Sequence, residues 1–356
     1  MRVAIDISPL KSAHKFRGVG SYTKRLIEAL QKVDKKNEYI LTTRSLQLTT
    51  QVDFIHYPYF DLFFLTLPLR KSKPTVVTIH DVTPLVFPEH FPPGIRGKIK
   101  FKIQKFSLKG VKAVITDSKN SKKDIINYLG YPKEKIFVVP LAPGKEFRLI
   151  TNHQSLIATK QKYQLPDAFV LYVGDVNYNK NIPGLVKTCE KIKVPLVIVG
   201  KQAVEKNINR LHPENKDLVW LQNRCQSLIT NHHLPITLLG FVPTKDLVAI
   251  YNLATVYCQP SFYEGFGLPV LEAMACGCPV VAANTSSLPE ICGKAAVMVN
   301  PYDINDIVTG LKKVLYDISI YDILRKRGSA WVKKFSWEKT AKETIKVYQN
   351  VYQENR

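Results

Sequence analysis

Short apolar runs alternate along the chain with longer segments that are apolar on one side only. Residues 2–7, RVAIDI, have the β-branched character of a buried first strand. In residues 17–30, RGVGSYTKRLIEAL, the side chains of Leu26, Ile27 and Leu30 share one helical face, with Ser21 placed to cap the start. YILTT, FIHYP, TVVTIHD and AVITDS are further strand candidates, and SKKDIINYLG reads as a helix stopped by its glycine. Strands alternating with helices predict a parallel sheet covered on both faces.

The same grammar restarts after KYQLPDAF. VLYVGDV, PLVIVG, ITLLGFV and PVVAAN read as strands, and VYCQPS leads into a glycine-rich turn. Between them lie the helices IPGLVKTCEKI, with Pro183 near its first turn, and TKDLVAIYNLA, with Thr244 as its cap. A break is predicted near 160–168, giving α/β domains 1–165 and 166–335 that share an architecture but no close sequence repeat. Residues 336–356 carry an amphipathic helix, FSWEKTAKETIKVYQNVYQ, with Trp337, Thr344, Ile345 and Tyr348 available for packing. Such a tail is expected to cross back onto the first domain.

A length of 356 residues supports two cores, and 45% hydrophobic content excludes disorder. The longest apolar suspect, FDLFFLTLPLR, is too short to span a bilayer and contains a proline. The start, MRVAIDISPL, lacks the long apolar stretch of a signal peptide, so a cytoplasmic protein is expected. Cys189, Cys225, Cys258, Cys276, Cys278 and Cys292 show no paired zinc spacing, and no metal site is expected.

A net charge of +22 attracts polyanions, or serves solubility alone. Basic residues concentrate in residues 94–112, GIRGKIKFKIQKFSLKGVK, where Arg96, Lys98, Lys100, Lys102, Lys105, Lys109 and Lys112 occur with no acidic residue. Ile95, Ile99, Ile103 and Phe106 recur there at helical spacing. This predicts a surface helix with its apolar face on the core and a basic face open to an anionic membrane, on the inner leaflet. Charge alone also suggests a nucleic-acid binder, but no aromatic-basic module appears and no nucleic-acid partner is expected.

Ligands of open parallel sheets bind beyond the carboxyl ends of the strands. There the chain places residues 261–281, SFYEGFGLPVLEAMACGCPVV, with Glu264 and Glu272 separated by seven residues. Pro269 suits a first helical turn, so a helix starts near Leu268. Gly265, Phe266 and Gly267 form a turn before it, where glycine lets a ligand approach the backbone. The helix start favours an anion such as a diphosphate. Carboxylates on either side suit vicinal hydroxyls, and a ligand with diols flanking a diphosphate is a nucleotide sugar. The plainer reading has Glu264 capping the helix and Glu272 facing solvent. A glycosidase pair is disfavoured, because two glutamates beside one turn do not obviously flank a scissile bond.

The stretch resembles the E-x7-E motif of retaining glycosyltransferases of the GT-B fold, in the large family GT4. RGVGSYTKRL, TIHDVTPL, DSKNSKKDIINYLGYPKEKIFVVP, GFVPTKDLVAIYNLATVYCQPSFYEGFGLPVLEAMACGCPVV with SSLPEICGKAAVMVNPYD, and FSWEKTA resemble the family's segments in order. The resemblance implies two Rossmann-like domains facing a cleft, an N-terminal acceptor domain and a C-terminal nucleotide-sugar domain. It implies that Glu272 holds the donor ribose and that Glu264 contacts the transferred sugar. Gly265, Phe266, Gly267 and Leu268 would offer backbone donors, and Lys180 in DVNYNKN would bind the diphosphate. The arginine that relatives often carry near this lysine is replaced by Asp175 and Asn179, with Lys201 or Arg17 as substitute cations. His80 in HDVTP would touch the donor sugar, with Asp81 beside it either orienting the ring or capping a turn, although a histidine at a strand end is often structural. Gly18 and Gly20 would form the N-terminal glycine loop. The G-x-x-G continuation of a dinucleotide site is missing, which disfavours oxidoreduction.

By the same resemblance, a hexose, best mannose from GDP-mannose, passes to a glycan or polyprenyl- or lipid-linked acceptor. Transfer would be front-face, metal-independent and without a resident cofactor. A sugar-nucleotide epimerase or a phosphorylase is the alternative on the same fold.

Overall fold

The computed structural model describes residues 1–12, 18–43, 51–230 and 236–354. It divides into two units: Met1–Pro88, Pro92–Ala142 and Phe335–Arg356 form the first, and Glu89–Phe91 with Pro143–Lys334 the second.

The first unit is built on β1 (Arg2–Asp6), β2 (Glu38–Thr42), β3 (Phe54–Tyr57), β4 (Thr75–Thr78), β5 (Ala113–Thr116) and β6 (Ile136–Val138). They form a parallel sheet in the order β2-β1-β3-β4-β5-β6. β3, β4 and β5 are buried along their whole length, as a sheet covered on both faces requires. The chain reverses its direction of travel across the sheet between β1 and β3, which opens a crevice beyond their carboxyl ends.

The second unit repeats the plan with β7 (Val170–Val173), β8 (Leu196–Val199), β9 (Ile236–Leu239), β10 (Val256–Gln259), β11 (Val280–Ala283) and β12 (Val297–Val299). The order is β12-β11-β10-β7-β8-β9, again parallel, with the reversal between β7 and β10. β6 and β12 escaped the sequence reading, because three residues carry no period.

The predicted break near 160–168 is displaced: the units part between Ala142 and Pro143. The helix His153–Lys162 belongs to the second unit, held by Ile150 N–H on Asn252 Oδ1 at 2.8 Å and Tyr163 Oη on Asp246 Oδ2 at 2.8 Å. Thr244 opens its helix as a first-turn residue, with Pro243 at the cap position.

The closing helix, Trp337–Gln353, belongs to the first unit, as expected, capped by Ser336 on the Lys339 N–H. Thr340, Ala341, Thr344, Val347, Tyr348 and Val351 form its buried face. Tyr348 Oη lies 2.7 Å from His56 Nδ1, and His56 Nε2 lies 2.9 Å from Thr78 Oγ1. Burial lowers the His56 pKa to about 3, so the ring is neutral.

The basic helix Gly94–Ser107 overturns its prediction. It rests on Gly97, Gln104 and Ser107, while Ile95, Ile99 and Phe106 are 81%, 55% and 60% exposed. A Cβ on Gly97 would stand 3.7 Å from Phe63 Cβ, so the helix turns its small residue toward the loop that carries Phe63. No helix among the described residues is long and apolar enough to cross a membrane.

Candidate active site

The second unit's crevice, between β7 and β10, is closed by side-chain stitches. After β7 the chain makes a tight turn, Tyr178–Lys180, and Asn181 adopts a left-handed conformation at φ 54°. The Asn181 amide donates to the carbonyls of Pro260 (3.1 Å) and Pro301 (2.8 Å). Asn179 donates through its side chain to the Tyr263 carbonyl at 3.0 Å and accepts the Tyr263 N–H at 3.3 Å. The loops after β7 and β10 are thereby one body.

That body brings Lys180 Nζ to 2.7 Å from Glu264 Oε2. The glutamate is buried, at 6% exposure, and its Oε1 accepts Gln259 Nε2 (2.5 Å) and Ser261 Oγ (2.7 Å). The Tyr257 hydroxyl donates to Gln259 Oε1 and turns that amide so its N–H faces Glu264. Glu264 is therefore no helix cap. It is a carboxylate held by three donors, one of them cationic.

Gly267 follows at φ 97°, where a Cβ would stand 2.7 Å from Leu288 Cδ2. The positive φ favours glycine there. The Ser287 hydroxyl lies 2.9 Å from the Glu264 carbonyl and 3.0 Å from the Phe266 carbonyl, tying the acceptor side of the turn inward. The helix Leu268–Ala275 starts directly after it, with Pro269 in its first turn. A helix start presents N–H groups that favour an anion. Glu272, one turn in, accepts the Tyr251 hydroxyl at 3.1 Å. Burial, and after it the Glu272 charge, holds the Tyr251 hydroxyl far above its usual pKa, so it stays a donor.

In the first unit, His80 follows β4. Its Nδ1 lies 2.7 Å from Asp117 Oδ2, just beyond β5, and its ring meets Tyr22 edge-on at 4.6 Å. Asp117 orients it, in place of Asp81, whose Oδ1 accepts the Thr83 N–H at 2.8 Å and caps a turn. Burial lowers the His80 pKa, but the Asp117 charge and hydrogen bond outweigh it and leave it raised. His80 Nε2 is buried without a hydrogen bond; the Pro58 carbonyl favours its proton but lies outside bonding geometry. Asp117 Oδ1 and Thr116 Oγ1 are buried without partners beside it.

Gly18 and Gly20 sit in the first turn of the helix Gly18–Val33 itself. Ser21 accepts Arg25 Nε at 3.2 Å and does not cap. Arg17 lies outside the described residues. Lys201 stands in a short turn after β8. Among the described residues no group of His, Cys, Asp or Glu could hold a metal ion. Asn181, Gln259, Ser261 and Ser287 escaped the sequence reading, and Asn179 entered it only as a neighbour of Lys180. The polar end of VYCQPS, on an otherwise apolar strand, was the available signal.

Residues 156–331 match the model for glycosyl transferases group 1, and residues 34–142 that for glycosyltransferase family 4. O-antigen chain mannosyltransferase B of Escherichia coli is 33% identical over 79% of this chain and 71% of its own length. The serotype-specific mannosyltransferase WbdA of the same species is 29% identical over 79% of this chain, a match spanning 34% of WbdA. Among solved structures, sucrose-phosphate synthase of Thermosynechococcus elongatus superposes with TM-score 0.73 at 19% identity, covering 99% of both chains. Anabaena HepE in complex with UDP-glucose gives TM-score 0.74 at 15% identity, over 98% of this chain and 100% of its own. With paired parallel sheets, matched family models and a relative of this identity and coverage, the chain belongs to glycosyltransferase family 4 and is a glycosyltransferase of the GT-B fold.

Proposed function

We propose that the protein moves a mannosyl group from GDP-mannose to a glycan or lipid-linked acceptor in cell-envelope glycan synthesis, with retention at the anomeric carbon. The Lys180–Glu264 pair beside the Leu268–Ala275 helix start carries this reading. Lys180 binds the diphosphate and offsets the charge gained by the leaving group as the C1–O bond breaks. Glu264, freed of Lys180 on one oxygen, accepts sugar hydroxyls. Glu272 accepts the ribose diol, with Tyr251 holding its other side.

The acceptor hydroxyl enters on the face from which the diphosphate departs, and the departing phosphate oxygen takes its proton. Catalysis then rests on positioning and on the stabilised leaving group, and needs no metal ion. His80, its ring fixed by Asp117, is the first unit's candidate for contact with a sugar. The mannosyltransferase names of the curated relatives support the choice of sugar. The acceptor is met at the surface of an anionic membrane on its cytoplasmic side.

Thermal-shift screening of GDP-mannose, UDP-glucose and their free diphosphates tests the donor. GDP-mannose and GDP should raise the melting temperature, and a response to uridine compounds alone would contradict the assignment.

A further inference from the structure

The strand β10 has two unlike faces. Val256 and Cys258 join the aliphatic core of the second unit. Tyr257 and Gln259 alternate with them on the other face and are equally buried, at 0% and 1% exposure. A phenol and an amide sealed inside a sheet are costly unless their polar atoms are matched, and apolar side chains would fill the space without that demand.

Here they are matched, and in one direction. The Tyr257 hydroxyl donates to Gln259 Oε1. The Gln259 amide nitrogen donates to Ser261 Oγ (3.2 Å) and Glu264 Oε1 (2.5 Å), and Ser261 Oγ donates to the same Oε1 at 2.7 Å. Glu264 Oε2 is left to Lys180. The backbone of Glu264 is held as well, its N–H donating to Ser286 Oγ at 2.8 Å. Ser286 takes a left-handed φ of 52°, uncommon outside glycine, to present that hydroxyl. Such strain gathers at working sites.

The other glutamate is anchored on the same floor. Glu272 Oε2 accepts the Tyr251 hydroxyl at 3.1 Å, and the Tyr251 ring meets the Tyr257 ring at 5.8 Å. Tyr251 is fully buried, with Phe147 edge-on against it at 5.9 Å. Two packed rings therefore stand beneath the two carboxylates, and in a close-packed interior a shift of one ring is felt by the other.

We propose that Tyr257 and Gln259 are positioning residues for transfer: they fix which Glu264 oxygen faces the donor, and the Tyr251–Tyr257 contact sets that carboxylate's distance from Glu272. The proposal rests on the reading of Glu264 as the sugar contact and Glu272 as the ribose contact. One rigid frame then grips the donor at both ends, which matters because a misplacement of about 1 Å can lower a rate about 10²-fold.

Calorimetry with GDP-mannose and with GDP, beside the rate of GDP release from GDP-mannose, tests it. Gln259→Met keeps the side chain's length and removes its amide. It should hold GDP affinity within about twofold, weaken GDP-mannose about tenfold and lower kcat about tenfold. With Glu264→Gln already in place, the same substitution should cost less than about twofold, because its effect passes through that carboxylate. Tyr251→Phe should instead weaken GDP and GDP-mannose together. Ser261→Ala removes the second donor to Oε1 and should split the two ligands as Gln259→Met does, which keeps the test available if Gln259→Met does not fold. Cys258→Ala, a packing change on the opposite face of the strand, should leave both affinities at the parent's values. Equal loss on both ligands in Gln259→Met and Ser261→Ala, the same loss with Glu264→Gln in place, or no loss at all would reduce the polar face of β10 to packing and overturn the proposal, with the donor assignment standing. Binding of neither ligand by the parent chain would defeat the donor assignment and the proposal with it.

Discussion

Lys180 Nζ and Glu264 Oε2 lie 2.7 Å apart across 84 residues of sequence, joined because the loops after β7 and β10 are stitched by Asn179 and Asn181. The lysine is 21% exposed and the glutamate 8% in their side chains, so this is a partly buried pair rather than a surface bridge. Lys180→Ala should lower kcat by about 10²- to 10³-fold, the usual loss on removing one group that stabilises a leaving charge. It should also cost about 1–3 kcal/mol in urea unfolding, because Glu264 is left buried with one donor fewer. Lys180→Arg should restore part of the stability. Wild-type turnover in Lys180→Ala would show that the lysine serves packing alone.

The two glutamates should separate kinetically. Glu272→Ala removes a carboxylate that accepts the Tyr251 hydroxyl, so calorimetry should show donor and free diphosphate binding weakened about tenfold or more. Glu264→Gln should leave diphosphate affinity near that of the parent while kcat falls. The reverse pattern would exchange the two roles.

The His80–Asp117 pair gives stability a pH dependence of known sign. The His80 pKa is raised above its ordinary 6.5, so its contribution is complete below pH 6.5 and is lost as pH climbs through the raised value. Burial first, eased by His80, also raises the Asp117 pKa, which likewise favours the folded chain at lower pH. Urea midpoints should therefore fall from pH 6 to 8, and Asp117→Asn should flatten that slope. An unchanged slope in Asp117→Asn would mean that His80 does not titrate against Asp117.

The closing helix should be integral to the first unit. Tyr348→Phe leaves His56 Nδ1 buried without its partner at 2.7 Å, a loss of about 1–3 kcal/mol. Chemical denaturation followed by circular dichroism reads it, and a change below about 0.3 kcal/mol would place a water or another group on His56.

Most strands longer than three residues, the restart after residue 165 and the helix at Leu268 were legible because apolar period and glycine or proline punctuation act locally; β10, in VYCQPS, was read only as a lead into the turn. Thr244 was misassigned as a cap because one residue's shift in a helix start moves the cap with it, and Ser21 because its helix already begins at Gly18. Asp117 could not be paired with His80 from sequence: they meet only because β4 and β5 are neighbours in register, Thr78 against Ile115. The orientation of the Gly94–Ser107 helix was read backwards because its periodicity was assumed to mark the buried face. Gln104 and Gly97, the residues that anchor it, carry no hydrophobic signal.

The central claim is retaining mannosyl transfer at the Lys180–Glu264–Glu272 site. Proton-coupled carbon NMR of the product, formed from GDP-α-mannose in the presence of a chelator, tests it most directly. A new anomeric signal with the one-bond coupling of an α-mannoside, absent in Glu272→Ala, is the predicted result. A β-mannoside signal, or the α signal undiminished in Glu272→Ala, would contradict the account.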